Sequence, residues 1–248
     1  MTHSNIEKTN LQMEQTVRSV LRSEPRLGPS FGLEELRFES GGVLLLRGEV
    51  PDVATKKVAL EKVGAIPGVT AIADHLHVAP AVRMGDKEIH VHVCNGLVEE
   101  AGLKSLEIRE LDGKEEKLVR GAPLGPHGRI LVEVKRGLVI LNGHVRGLTS
   151  KRLAGVIAWW VPGVRDVING LEVDPPEDDG PDRIADAIRV VLEKDPFVDA
   201  GQIKVGVRNT LVRLTGIVRN ETERQAAERD AWMVFGVDTV VNEIAVQP

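Results

Sequence analysis

The chain has 248 residues, 42% apolar and 28% charged, which supports a sizeable core and excludes a disordered or collagen-like chain. Its 32 basic and 37 acidic side chains leave a net charge of −5, which argues against a nucleic-acid binder and against adhesion to anionic lipid by bulk charge. A single cysteine, Cys94, excludes an internal disulfide and a zinc-finger pattern, and four Phe, three Trp and no Tyr leave few rings for stacking bases or sugars.

The opening MTHSNIEKTNLQMEQ lacks the apolar run of an export signal, and no later stretch reaches the roughly 18 apolar residues needed to span a bilayer. Residues 1–12 are therefore expected to be a flexible tail. The chain as it stands reads as cytoplasmic, or as periplasmic if a signal peptide once preceded it.

From Met13 the pattern becomes periodic. Met13, Val17 and Leu21 recur at i, i+4, i+8, the spacing of a helix with one buried stripe. Leu36 and Phe38 alternate, Ser40-Gly41-Gly42 supply a turn, and VLLLRGEV (43–50) completes a hairpin. A second helical stretch runs to PGV (67–69), and AIADHLHV (71–78) closes the unit as a strand.

The same order follows twice more. Ile89, Val93, Leu97 open the second copy, Ile130, Val132, Val134 alternate, and LVILNGHV (138–145), PGV (162–164) and DVINGLEV (166–173) follow. Ile184, Ile188, Leu192 open the third, which continues through Ile203, Val205, Val207, then LVRLTGIV (211–218), FGV (235–237) and TVVNEIAV (239–246). Gly48 to Gly68, Gly143 to Gly163 and Gly216 to Gly236 are each 20 residues apart. Asn220 and Glu223 form a capping box at one second-helix start.

The expected fold is α+β: three tandem α-β-β-α-β units (13–80, 87–176, 181–248), each a three-stranded mixed sheet with two helices on one face. The middle unit is longer by about 22 residues, which places an inserted hairpin and loop over about 102–129. Its hairpin, SLEIRELDGKEEKLV, turns at Asp112-Gly113, and GAPLGPHGR (121–129) reads as a loop rather than a phosphate cradle. The linker DPPEDDGP (174–181) is acidic and prolyl, hence stiff and solvated.

On the hairpin strand, period two puts Leu44, Leu46, Gly48 and Val50 on one face, as it does Val139, Leu141, Gly143, Val145 and Val212, Leu214, Gly216, Val218. Glycine there lets a helix backbone approach the sheet, and the second glycines (Gly68, Gly163, Gly236) suit a left-handed cap or tight turn. The opposite face carries Val43, Leu45, Leu138, Ile140, Leu211 and Ile217 where a solvated face should be polar, which points to packing against another copy, within the chain or between chains. The buried stripe of helix two is Ala154, Ile157, Ala158, Val161, matched by Ala227, Asp230, Ala231, Val234. Beside it fall Trp159 and Trp160, and Trp232 and Met233, at equivalent helix ends. Packing between repeats is the first explanation, and a membrane or partner contact is the second.

Little in the sequence points to chemistry. Lys56, Lys151 and Arg224 recur near the start of helix two, more as solvated charges than as phosphate ligands. His75-x-His77 share a strand face but lack a carboxylate or thiolate partner, and His90-x-His92 diverge on a helix. Cys94 reads as a small buried thiol. No phosphate-binding loop, nucleophile elbow or dinucleotide fingerprint occurs, so no catalytic residue, metal or cofactor is expected.

The motif VILNGHV (139–145) with VPGVRDVINGLEV (161–173), and VRLTGIV (212–218) with FGVDTVVNEIAV (235–246), resembles the BON domain family of bacteria; in unit one Asp74 stands where the others have Asn169 and Asn242. The resemblance implies a non-enzymatic binding module, tied to envelope integrity, osmotic stress or channel assembly, with phospholipid as its ligand. A protein scaffold whose repeats pack or oligomerise through outer sheet faces is the alternative, and small-ligand or potassium sensing a remote one. The implied partners are a phospholipid surface or a protein, with no nucleic acid, no transmembrane segment, and a homo-oligomer left open.

Overall fold

The computed structural model describes residues 3–28, 31–39, 41–122 and 127–247, so Ser40 of the first turn and residues 123–126 of the inserted loop lie outside the described residues. The chain divides into two units, one ending at Ala79 and one beginning at Pro80.

The first unit holds α1 (His3–Ser23), β1 (Gly32–Phe38), β2 (Val43–Val50), α2 (Val53–Gly64) and β3 (Ala71–Val78). The sheet order is β1-β2-β3, with β1 antiparallel and β3 parallel to β2. Residues 3–12 of the expected tail are helical, as the first turns of α1, and residues 1–2 lie outside the described residues. No Gly or Pro interrupts the sequence before Ser23, and each added residue extends a nucleated helix by one hydrogen bond. Val17 and Leu21 from α1, Leu44, Leu46 and Val50 from β2, and Val58, Ala59 and Val63 from α2 are buried together with Leu76 of β3. Asp52 caps α2 by accepting from the Thr55 N–H at 2.7 Å.

The second unit contains two further copies. One comprises α3 (Asp86–Glu99), β4 (Glu107–Asp112), β5 (Glu115–Arg120), β6 (Arg129–Lys135), β7 (Leu138–Val145), α4 (Leu148–Trp159), β8 (Asp166–Asn169) and β9 (Glu172–Val173). The other comprises α5 (Pro181–Lys194), β10 (Ile203–Arg208), β11 (Leu211–Val218), α6 (Glu221–Met233) and β12 (Thr239–Val246). The third repeat has the expected three-stranded mixed sheet, β10-β11-β12. The middle sheet is wider than expected: β5-β4-β6-β7-β8, with β9 also on β7. The inserted hairpin does turn at Gly113 (φ +66°), and β4 adds parallel to β6. An unpaired sheet edge offers a row of free N–H and C=O groups, which the insertion fills.

Arg120 fastens the hairpin. Its guanidinium donates to the carbonyls of Val98, Leu103 and Leu106, groups at the end of α3 and in the turn after it. Leu103, Leu106 and Ile108 are buried beneath it.

The strand glycines are required, but by a neighbouring strand rather than by a helix. A Cβ on Gly143 would lie 2.1 Å from the Arg129 carbonyl oxygen, and one on Gly216 2.0 Å from that of Gln202. Gly48 meets the Gly32 carbonyl at 2.7 Å. Of the second glycines, Gly68 and Gly236 take the positive φ of a tight turn. Gly163 does not; its bare Cα instead leaves room for Met84, whose Cβ would stand 2.5 Å from an added methyl.

Repeats two and three share one continuous core, running from Ile89 to Ile244. The expected stripes of α4 and α6 are all buried, Asp230 included. Helices α4, α5 and α6 touch one another across the seam between these repeats, so both sheets turn their outer faces away from the helices. The acidic linker is solvent-exposed, yet it is tied down: Glu177 accepts from the Leu148 N–H at the start of α4.

Candidate functional site

The tryptophans are part of that seam, the packing between repeats that was the first explanation for them. Trp232 is 4% exposed, and Trp159, Trp160 and Met233 pack half-buried against the shared core. The Trp160 indole N–H donates to Asp230 Oδ1 across the repeats at 2.9 Å. Equivalent ends of α4 and α6 converge because the two repeats meet through their helices.

Two buried polar groups lie at the same seam. Arg152, fully enclosed, donates to the Phe235 carbonyl at 2.8 Å and pairs with Asp179 of the linker, also at 2.8 Å. Asp230 is 2% exposed. Burial pushes its carboxyl up to about 8; the Trp160 N–H works against this, and the Asp195 carboxylate adds to it. Lys194 reaches Glu100 at 3.1 Å, and Lys151 lies over the Phe235 ring at 5.4 Å. The recurrent helix-two cations are thus engaged: Lys56 pairs with Asp74, Lys151 faces Phe235 and Arg224 pairs with Glu221.

The outer sheet faces stay open. Val43, Leu45, Leu138 and Ile140 are only half-buried, while Leu211 and Ile217 are 39% and 50% exposed. The face of the middle sheet is the broadest. Register places Ile140 between Glu133 of β6 and Ile168 of β8, and Glu133 opposite Leu111 of β4. One row further on, Leu138 lies between Lys135 and Asp166, and on the other side Leu131 lies opposite Arg109. Glu133, 8% exposed, pairs with Lys135 at 2.5 Å. Apolar residues and both signs of charge therefore alternate across it.

Histidines 75 and 77 do share the outer face of the first sheet, paired with Arg47 and Glu49. A different group draws together: a ring nitrogen of His90, Cys94 Sγ and a Glu110 carboxylate oxygen lie within 4.8 Å of one another. Burial, with Glu110 adding, pushes the Cys94 thiol up to about 12, which favours the neutral thiol over the thiolate. The i, i+4 spacing of His90 and Cys94 was visible in the sequence; the approach of Glu110 depends on where the insertion docks.

Elsewhere carboxylates are spent on structure. A cleft of about 580 Å³ includes Asp199, Arg219 and Glu223. There Asn220 accepts from the Glu223 N–H as a cap should, while Glu223 accepts from the N–H groups of Arg219 and Asp199. No helix among the described residues is long and apolar enough to cross a membrane.

The sequence model of the BON domain matches residues 11–80, 116–175 and 180–248. No curated protein matches the chain. Among solved structures it is similar to two of CdsD, a structural protein of the type III secretion system of Chlamydia trachomatis, one of them its C-terminal domain. Both are 15% identical with a TM-score of 0.25, covering 94% of this chain and 91% or 96% of theirs.

Proposed function

The chain belongs to the BON domain family, in three tandem copies, and on that premise we propose that it is a non-catalytic docking protein whose middle sheet pairs face to face with a second copy. The observation that carries this reading is the alternation on that face. Leu111, Leu131, Leu138, Ile140 and Ile168 sit among Arg109, Lys135, Glu133 and Asp166, so the face is near neutral and can complement itself about a two-fold axis. Anionic phospholipid selects basic faces with protruding rings, and the tryptophans lie in the seam between repeats.

Light scattering on the wild type and on Ile140→Lys tests it. The wild type is expected to self-associate and the variant to be monomeric with unchanged circular dichroism, since a half-buried outward position tolerates lysine in the free chain but not in a pairing face. A monomeric wild type at its highest soluble concentration overturns the reading. Co-sedimentation with phosphatidylglycerol vesicles at low salt would transfer the function to lipid.

A further inference from the structure

We propose that α3 and the inserted strand β4 together form a binding site for a divalent metal ion of the zinc class, held by His90, Cys94 and Glu110. Residues four apart on a helix project from one face with Cβ atoms about 5–6 Å apart, which suits one ion shared by His90 and Cys94. Glu110 comes from the side of β4 that faces the helix: its register partner on β6 is Val132, which is fully buried. The three ligand atoms already lie within 4.8 Å of one another. Metal–ligand bonds of roughly 2.0–2.3 Å need ligand atoms roughly 3.3–3.8 Å apart, a closure within reach of side-chain rotation.

A second observation points the same way. The Nε2 of His90 is enclosed and has no hydrogen-bond partner, whereas buried polar atoms are normally paired. Thiolate, imidazole and carboxylate form a donor set that suits zinc rather than calcium or magnesium. On binding, the Cys94 Sγ–H bond breaks, the proton leaves to solvent and sulfur's electron pair goes to the ion. Three protein ligands leave a fourth position for water. Lys117, across the hairpin from Glu110 at 4.0 Å, is a competing cation that the ion must outweigh.

The site is particular to the middle repeat. Positions matching His90 and Cys94 are Glu14 and Arg18 in the first repeat and Ala185 and Arg189 in the third. Arg189 reaches the Val205 carbonyl on β10, the edge strand of its sheet. In the middle repeat β4 covers the corresponding edge, and a small thiol facing a carboxylate replaces the long cation.

Cobalt(II) titration of the full chain gives the test, because a thiolate-to-cobalt charge-transfer band can arise only from the single cysteine. One equivalent of ion is expected to develop that band and zinc to abolish it by displacement. Even an outer-shell partner is worth about 10–100-fold in metal affinity, so His90→Ala and Glu110→Gln should each weaken binding at least about tenfold. Cys94→Ser should lose the band while keeping the wild-type circular dichroism. Should that variant fail to fold, zinc protection of Cys94 against a thiol reagent in the wild type reads the same contact. Absence of the charge-transfer band, or zinc leaving Cys94 unprotected, overturns the proposal, as does affinity unchanged in both His90→Ala and Glu110→Gln.

Discussion

The departure of Asp74 from its counterparts shows how one side chain is balanced by another. Asn169 and Asn242 each accept from the N–H two residues on, at Leu171 and Ile244, and donate to the carbonyls of Lys151 and Arg224 on the second helix. Asp74 keeps the first bond, accepting from Leu76 at 2.9 Å, but has no amide to donate. Lys56, at the position of Lys151 and Arg224, brings its ammonium to within 3.0 Å of Asp74 instead. The same link between strand and helix is made by an ion pair where the other repeats use an amide. The glycine of the hairpin strand has no such substitute. At Gly216 the φ of +142° and the Gln202 carbonyl 2.0 Å from an added Cβ act together. Gly216→Ala should therefore cost about 2–4 kcal/mol, strain and displaced backbone combined. Gly206→Ala in the same sheet, where the nearest atom is 3.9 Å away, should be neutral or slightly stabilising. Urea melts of the two variants check both, and equal midpoints would contradict the close-approach account.

The hairpin β4–β5 marks the boundary between what the sequence discloses and what it does not. Helices, strands and the turn at Gly113 rest on contacts a few residues apart, so the periods of Ile130-Val132-Val134 or Ile184-Ile188-Leu192 expose them directly. Where an element docks depends on distant partners. Nothing in SLEIRELDGKEEKLV states that β4 joins β6, and the middle sheet was accordingly expected to have three strands. The same gap hid Glu110 from His90 and Cys94, and the seam from Trp159 and Trp160: equivalent helix ends were legible, the helices they meet were not. The docking itself rests on Arg120. Replacing it by Met keeps a long apolar stem but strips hydrogen bonds from the Val98, Leu103 and Leu106 carbonyls. Bonds to a charged donor are worth about 1.5–3 kcal/mol each and overlap here, so a total loss of about 2–4 kcal/mol is expected. The loss should be local: hydrogen exchange should quicken at β4 and β5 and stay slow at β7. Uniform acceleration across the unit would show that the hairpin is an inseparable part of the repeat.

Repeats two and three hold together through a largely apolar seam into which the buried Arg152 and Asp230 enter, and the second of these makes their union depend on pH. Asp230 is surrounded by the Trp160 N–H, the Asp195 carboxylate and the Arg229 cation, with burial as the largest influence, and its carboxyl stays protonated to about 8 rather than the ordinary 3.8. Between those values the folded chain keeps a proton that the unfolded chain has released. The folded state binds more protons there, so stability must fall as pH rises through the window, with the benefit complete below about 4 and lost above about 8. Asp230→Asn retains an oxygen for the Trp160 N–H and cannot ionise. Near pH 4 it should match the wild type to within about 1 kcal/mol, and near pH 9 it should be the more stable of the two by about 2–4 kcal/mol, a discounted fraction of the full shift. Denaturant melts at the two values read the difference. A wild type whose stability does not fall between them, or a variant that falls as steeply, would mean that Asp230 is ionised in the folded chain and that the seam tolerates its charge.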